Sequence, residues 1–154
     1  HGEVCIKGPN VMKGYWNRPE ATAEAIDTQG WFHSGDIGYL DDEDFLFLCD
    51  RVKDMVITGG ENVYPAEIES ILYGHPSILE VAVIGLPDEK WGEAVTAIAV
   101  LEEGASLDLE ALRAFAGESL ARYKLPTELR FIDILPRNPA GKVQKFKLKE
   151  QFVA

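Results

Sequence analysis

Two apolar, β-branched runs near the middle of the chain constrain its fold more than any other feature. Residues 79–86 and 95–101 each have the length of a strand, and the residues between them include Pro, Asp and Gly. The uninterrupted apolar stretches are far shorter than the roughly 18 residues that a membrane-spanning helix needs. From residue 51 onward the pattern reads β-α-β-β-α-β-α, which predicts an α+β fold with helices packed on a small sheet.

Helices are predicted on both sides of this strand pair. The first begins at Pro65, where the missing N–H costs nothing, and ends near Gly74. The second carries apolar residues at helical spacing, with Ser106 or Asp108 as its N-cap. The other elements predicted in this half are a strand at residues 55–58, a strand at residues 128–135 and a helix at residues 145–153.

The first 50 residues are predicted to be β-rich. A strand begins at Glu3, a short helix begins at Pro19, and a hairpin turns at residues 41–44. The charged residues 50–54 then separate two apolar strands. This segment fits either a surface loop or a boundary between two domains, since few contacts need to cross either.

The charge of the chain is strongly uneven. Its net value of −11 argues against binding to nucleic acid or to an anionic membrane, because both need a basic surface. Residues 137–150 nevertheless carry five cations against one anion, a local charge of +4. A solvated helix face accounts for Lys147 and Lys149. Lys142 differs, because it lies in the proline-flanked turn "PRNPAGKVQK".

Cysteine and histidine do not suggest a metal site. Cys5 and Cys49 lie far apart with no C-x-x-C pairing, which favours reduced core residues in a cytosolic protein. The histidines His1, His33 and His75 share no metal-ligand spacing. We therefore expect no metal bound by the chain itself.

Familiar catalytic motifs are also missing from the sequence. There is no G-x-S-x-G, no Cys/His pair on a turn and no G-x-G-x-x-G. The Lys142 turn is not a Walker loop, since Pro136 and Val143 stand where that loop needs Gly and Ser or Thr. Paired glycines at Gly59 and Gly60 permit close approach of a backbone or a narrow ligand, or form an ordinary tight turn. The residues alone thus indicate an acidic globular protein with a candidate anion-binding lysine.

Five segments of the chain follow one another in the order found in a known family. They are "GEVCIKGPNVMKGYWNRPEAT" (2–22), "GWFHSGDIGYLDD" (30–42), "DRVKDMVITGGENVYPAEIE" (50–69), "GLPDEKWGEAV" (85–95) and "PRNPAGKVQK" (136–145). Together they resemble the acyl-CoA synthetases of the adenylate-forming superfamily. That superfamily also includes luciferases and the adenylation domains of nonribosomal peptide synthetases.

The resemblance implies two domains and an activity. Residues 1–50 would be the terminal strands of a large N-terminal adenylation domain, and residues 51–154 its mobile C-terminal lid. The absence of an initiator Met also suggests a piece of a longer protein. Family members convert a carboxylate and ATP to acyl-AMP and pyrophosphate, and the CoA thiol then displaces AMP. We therefore expect the C-terminal part of a fatty or aromatic acyl-CoA ligase, inactive alone.

The same resemblance implies the cofactors and partners. ATP would bind with Mg²⁺, held by the N-terminal domain, and CoA would be a co-substrate. The expected partners are that N-terminal domain, a carboxylic acid, ATP and CoA, with no nucleic acid and no transmembrane segment; the expected location is the cytoplasm. The alternatives are a luciferase-like or carrier-protein-loading adenylating enzyme with the same lid, or a free-standing lid homologue that binds a partner without catalysis.

The nucleotide-binding residues implied by the family are Asp36 and Arg51. Asp36 matches an aspartate that accepts both ribose hydroxyls of ATP, a task that suits the two oxygens of a carboxylate. Arg51 matches an arginine that contacts the nucleotide through a permanently charged guanidinium. The alternatives are an aspartate in a glycine-rich turn for Asp36, and a surface ion pair with Asp50 or Asp54 for Arg51.

A hinge and a catalytic lysine are implied as well. Lys53 falls on the position where a few backbone dihedrals change as the lid swings, although its side chain could simply be solvated. Lys142 matches the lysine that sits between the acyl carboxylate and the α-phosphate. An ammonium there would offset the negative charge that develops when one anion attacks another.

The CoA site implied by the family lies elsewhere on the lid. Gly59 and Gly60 would line the pantetheine channel, where the absence of side chains leaves room for a thin arm. Trp91 matches an aromatic residue that stacks on the CoA adenine in some relatives, and Tyr123 occupies a nearby aromatic position. Ordinary packing is the alternative for Trp91 and Tyr123.

Overall fold

The computed structural model describes residues 1–153, and these form two compact units. The first unit is His1–Lys53, and the second begins at Asp54. The division falls within the charged segment that fitted either a surface loop or a domain boundary. The identity of the units as the end of an adenylation domain and a lid remains a prediction.

The first unit is built on a three-stranded antiparallel sheet. Its strands are β1 (Gly2–Ile6), β2 (Phe32–Leu40) and β3 (Leu46–Arg51), in the order β1-β2-β3. A short helix, α1 (Pro19–Ala25), lies between β1 and β2 in the chain and starts at the predicted proline. The residues between α1 and the predicted hairpin turn form one continuous strand, β2.

The predicted hairpin between β2 and β3 is confirmed. Its turn is held by Asp41, whose Oδ1 accepts from the backbone N–H groups of Glu43 and Phe45, each at 2.9 Å. Asp44 takes the left-handed conformation at φ 63°, which Asp tolerates better than most residues. A single side chain therefore organises the whole reversal of the chain.

The second unit is a five-stranded sheet with helices on it, which confirms the α+β class. The strand order is β5-β4-β7-β6, and β8 pairs in parallel with β7. Its elements are β4 (Val56–Thr58), β5 (Glu61–Val63), α2 (Pro65–Leu72), β6 (Ile78–Asp88), β7 (Gly92–Leu101), α3 (Leu109–Gly117), β8 (Glu128–Phe131) and α4 (Lys145–Phe152).

Two of these elements differ from the prediction. Strand β5 was not expected, because only one of its three residues is buried; it forms because the Gly59-Gly60 turn folds it back onto β4. Strand β8 ends at Phe131 instead of residue 135, since its partner β7 pairs with it only as far as Ala99. At α3 the structure selects Asp108 as the N-cap, whose side chain accepts from the N–H of Ala111 at 2.8 Å.

The central hairpin of β6 and β7 is buried on both faces. Because side chains alternate along a strand, Val81, Val83, Val95 and Ala97 pack on one face with α2 and α3. The alternate residues, such as Ile84, form a second core cluster on the other face, together with α4 and the segment at 132–143. This two-sided burial explains why both strands are almost continuously apolar.

Within residues 1–153, no helix has the length and apolar character needed to cross a membrane.

Candidate functional site

The Lys142 turn is a rigid hairpin organised by Asn138. The Asn138 side-chain Oδ1 accepts from the backbone N–H groups of Ala140 at 3.0 Å and of Lys142 at 2.9 Å. Its own N–H donates to the Lys142 carbonyl at 2.9 Å, and Gly141 donates back to the Asn138 carbonyl. Gly141 adopts φ 82°, a conformation that favours glycine. The backbone at Lys142 is therefore fixed on both sides.

The same turn is anchored to the body of the second unit. Arg137 donates from Nη1 to the Gly141 carbonyl at 2.7 Å, and its Nη2 lies 3.1 Å from Glu80 Oε2 near the start of β6. Val143 packs against the second core cluster. The Lys142 side chain, in contrast, is exposed, and residues 1–153 provide no ion-pair partner for its ammonium group.

The predicted glycine turn lies beside Trp91. Gly59 has φ 59° and donates its N–H to the Trp91 carbonyl at 2.8 Å. A Cβ on Gly59 would lie only 2.9 Å from Cε3 of the indole, whereas a Cβ on Gly60 would meet no atom within 4 Å. Trp91 is held from the other side by Asp88, whose Oδ1 accepts its N–H at 2.8 Å.

A cavity of about 430 Å³ opens at this turn. It contains three of the four residues predicted to contact CoA, namely Gly59, Trp91 and Tyr123; Gly60 is outside its lining. Two cations, Arg113 of α3 and Arg122, also line it. Neither arginine has a local signal in the sequence, because both become neighbours of the glycine turn only through packing. The full lining is Thr58, Gly59, Glu61, Trp91, Arg113, Arg122, Tyr123, Leu125 and Thr127.

The Lys142 turn and this cavity lie at opposite ends of the central hairpin. Glu80, which holds the turn, pairs with Val100 at one end of the β6–β7 ladder, whereas Asp88 pairs with Gly92 at the other. Eight residues of strand separate Glu80 from Asp88, which corresponds to roughly 26 Å. The two features also lie on opposite faces of the sheet. The cavity is bordered by α3, which packs on one face, and the Lys142 turn packs with the second core cluster on the other.

The two predicted nucleotide-binding residues pair with each other in the first unit. Asp36 of β2 and Arg51 of β3 are cross-strand partners, and Arg51 Nε lies 3.2 Å from Asp36 Oδ1. Asp36 also receives local support, since its N–H donates to Ser34 Oγ at 3.0 Å. The alternative interpretation of Arg51 named Asp50 or Asp54 as its ion-pair partner, whereas this ion pair joins the two candidate residues. Both side chains are partly open to solvent at 38% and 50% exposure.

The predicted hinge residue lies at the end of the first unit. Lys53 is exposed in a single 3₁₀ turn, Val52–Asp54, which spans the division between the two units. A turn of this length offers few backbone hydrogen bonds to break. The position is therefore compatible with a change in backbone dihedrals.

A further cluster was missed in the sequence. Cys5 is exposed, so its prediction as a core residue is wrong: β1 has a solvent-facing side, and Cys5 lies there opposite His33 of β2. With Glu3, these residues offer ligand atoms that all lie within 4.8 Å of one another. The group forms because β1 pairs with β2, which brings together residues 28 positions apart. The residue spacing within β1 or β2 alone does not indicate it.

Comparison with known proteins finds a family match that lies within the second unit. Residues 67–142 match the family model of the AMP-binding enzyme C-terminal domain. FadD13, a long-chain-fatty-acid–CoA ligase from Mycobacterium tuberculosis, is 55% identical over 153 residues, which are 99% of this chain and 30% of that protein. A 2-succinylbenzoate–CoA ligase from Geobacillus kaustophilus is 55% identical over 148 residues, which are 96% of this chain and 30% of that protein.

The same likeness extends to solved structures. The ATP-bound crystal structure of MatB from Rhodopseudomonas palustris superposes with a TM-score of 0.89 at 44% identity, covering 99% of this chain and 30% of MatB. The chain spans about 30% of the length of the curated relatives it matches. Residues 67–142 are therefore an AMP-binding enzyme C-terminal domain, and the chain as a whole is similar to part of the CoA ligases named above.

Proposed function

We propose that this chain supplies the C-terminal lid and adjoining strands of an ATP-dependent acid–thiol ligase. The complete enzyme converts a carboxylic acid, ATP and CoA to acyl-CoA, AMP and pyrophosphate through an acyl-adenylate. Fatty or aromatic acids are the proposed substrates, and Mg²⁺ accompanies ATP in the rest of the enzyme. The relatives named above, a fatty-acid and a succinylbenzoate CoA ligase, support the class of reaction.

The observation that carries this proposal is the separation of the Lys142 turn from the Gly59 cavity. A reaction in two steps needs a cation while phosphorus is attacked and a thiol channel afterwards. With the two features on opposite faces and at opposite ends of one rigid hairpin, a lid presents one of them in each orientation. A rotation of the lid would then exchange the two, as hinge motions do in other enzymes.

Lys142 is proposed as the catalytic residue of the adenylation step. Its exposed ammonium extends from a turn whose backbone is fixed by Asn138, so it can reach outward without loss of position. During attack of the carboxylate on the α-phosphate, negative charge accumulates at the reacting oxygens. A preorganised donor at such a point lowers a barrier by roughly 3–4 kcal/mol.

Asp36 and Arg51 are proposed to hold the nucleotide. The ion pair keeps one carboxylate oxygen of Asp36 against Arg51, which fixes the orientation of the side chain. A carboxylate held this way accepts from the vicinal hydroxyls of ribose, and the guanidinium retains further N–H donors for the nucleotide. Lys53, at the turn between the units, is the proposed hinge position.

The cavity is proposed to bind CoA in the second step. Gly59 and Gly60 leave a bare corner for the pantetheine arm, while Trp91 and Tyr123 offer aromatic surface for the adenine. Arg113 and Arg122 bring positive charge to the same opening in an otherwise acidic chain. Guanidinium groups suit the phosphates of CoA because they bind them through paired N–H donors.

The test uses the complete enzyme that contains this chain and measures the two half-reactions separately. We expect Lys142→Ala to slow formation of acyl-adenylate by about 10²–10³-fold, and to affect conversion of supplied acyl-AMP to thioester much less. Lys147→Ala is the matched control, since Lys147 is also an exposed lysine but lies on α4. Equal losses in the two half-reactions would contradict the role of Lys142.

A further inference from the structure

The cluster of Glu3, Cys5 and His33 lies on the first unit and takes no part in the proposed function. Cys5 Sγ is 3.6 Å from His33 Nδ1, and Glu3 Oε2 is 2.9 Å from the same nitrogen. Glu3 and Cys5 are two residues apart on β1 and so share one side of the sheet. Cys5 and His33 are direct cross-strand partners, so the sheet itself brings the three side chains together.

The carboxylate of this cluster is held in place before any ligand arrives. Glu3 Oε1 accepts the N–H of Gly35 at 3.1 Å, which leaves Oε2 directed at His33. The register of β1 and β2 shifts between Glu3 and Cys5, and this irregularity lets Glu3 reach two residues beyond His33. Bulges commonly re-aim side chains in this way.

A second carboxylate lies on the far side of the imidazole. His33 Nε2 lies 3.7 Å from Asp27 Oδ2, and Asp27 Oδ1 accepts the N–H groups of Gln29 and Trp31 at 2.8 and 2.9 Å. A carboxylate behind a ligating histidine is the usual outer support in metal sites, where it fixes the ring and its tautomer.

We propose that Glu3, Cys5 and His33 form a binding site for a thiophilic divalent cation, with Zn²⁺ as the best fit. Tetrahedral Zn²⁺ with Zn–S of about 2.3 Å and Zn–N of about 2.0 Å separates sulfur from nitrogen by roughly 3.5 Å. The Cys5–His33 distance of 3.6 Å already meets this requirement. Three protein ligands and one water complete four-coordination.

The donor set also defines what the site rejects. A thiolate and an imidazole favour Zn²⁺ and other borderline or soft cations, whereas Mg²⁺ and Ca²⁺ require oxygen ligands.

The first experiment titrates the reduced 154-residue chain with Zn²⁺ against a chromophoric chelator, and with Co²⁺ as a spectroscopic probe. We expect one equivalent to bind, with a thiolate-to-cobalt absorption band, and excess Mg²⁺ to leave binding unchanged. Cys5→Ser and His33→Ala should each weaken binding by more than about 100-fold, and Asp27→Asn by about 10-fold.

Two controls separate this site from adventitious binding. Cys49→Ser removes the other free thiol, and His1→Ala removes the histidine at the amino terminus; both should bind Zn²⁺ with unchanged affinity. An equal loss in either control variant would overturn the site, as would a cobalt complex without a thiolate band.

The second experiment needs no substitution and so does not depend on how the variants fold. Alkylation of Cys5 and Cys49 is followed separately by peptide mass spectrometry, with and without one equivalent of Zn²⁺. We expect Zn²⁺ to slow the reaction of Cys5 at least about 10-fold and to leave that of Cys49 unchanged. Unchanged alkylation of Cys5 would refute the proposal.

Discussion

Positions 59 and 60 both favour glycine because of their backbone conformation, and position 59 favours it also because Trp91 lies against it. Both residues have positive φ, 59° and 86°, so a side chain at either adds backbone strain. Only at Gly59 does an added Cβ also meet the indole, at 2.9 Å. The pair thus separates two effects that are usually confounded: conformational strain and steric contact.

We expect Gly59→Ala to lower the free energy of unfolding by more than Gly60→Ala does. Backbone strain should cost each variant about 1 kcal/mol, and displacement of Trp91 adds to this only in Gly59→Ala. Urea unfolding of the two single variants measures the difference. Trp91→Ala provides the reference: combined with Gly59→Ala it should remove the excess, and a persisting excess would show that the indole is not its source.

At the scale of elements, the free edge of β6 is covered by a charged bridge between two helices. Glu69 of α2 accepts the N–H of Val83 at 2.7 Å and pairs through the same oxygen with Lys145 of α4 at 2.7 Å. The two side chains are only 17% and 14% exposed. An unpaired strand edge is a site for aberrant association, and this bridge occupies one N–H group of the edge while joining helices on the two faces of the sheet.

Glu69→Ala is expected to destabilise the second unit by about 1–3 kcal/mol, because it leaves a strand N–H and a nearly buried ammonium without their acceptor. Glu69→Gln keeps an acceptor for Val83 and should cost less. The control is Glu128→Ala, which removes a more exposed ion pair with Arg130 and should cost at most about 1 kcal/mol. Chemical denaturation ranks the three, and a Glu128→Ala effect as large as that of Glu69→Ala would contradict this explanation.

The elements that could be predicted are those whose signal is local. Pro65 and the helical spacing after it define the start of α2, and two apolar runs define β6 and β7. What could not be predicted depends on register between distant strands. The three ligand atoms of Glu3, Cys5 and His33, and the ion pair of Asp36 with Arg51, exist only because β1, β2 and β3 pair as they do.

The site residues likewise divide into those with a local signal and those without one. The conformation of the Lys142 turn depends on nearby residues, since Asn138 and Gly141 lie within four residues of the lysine. The cavity at Gly59 draws on β4, α3 and the loops that follow β6 and α3, so its two arginines have no signature near the glycines. The functional roles of these residues remain proposals, whichever way their positions were found.

At the scale of the whole molecule, the pair proposed to hold the nucleotide and the lysine proposed to be catalytic lie on separate units. The resemblance to acyl-CoA synthetases implies that ATP and Mg²⁺ are held by the large N-terminal domain, of which this chain would supply only the terminal strands. We expect the purified 154-residue chain to show no ATP–pyrophosphate exchange above background, because nothing in it holds the triphosphate and the acid together. The complete enzyme assayed in parallel is the positive control. Robust exchange by the chain alone would refute the proposal that adenylation requires the rest of the enzyme.

The double-sided core of β6 and β7 gives the proposed lid a fixed internal length. A slip of one residue between the two strands would turn every side chain that faces α2 and α3 toward α4, and the reverse, so the ladder has one acceptable register. The distance between the two ends of the β6–β7 hairpin is therefore fixed by this register. Substitutions that reshape the Lys142 turn or the Gly59 cavity can therefore be accommodated at the two ends of the hairpin, but not along the doubly buried strands that join them.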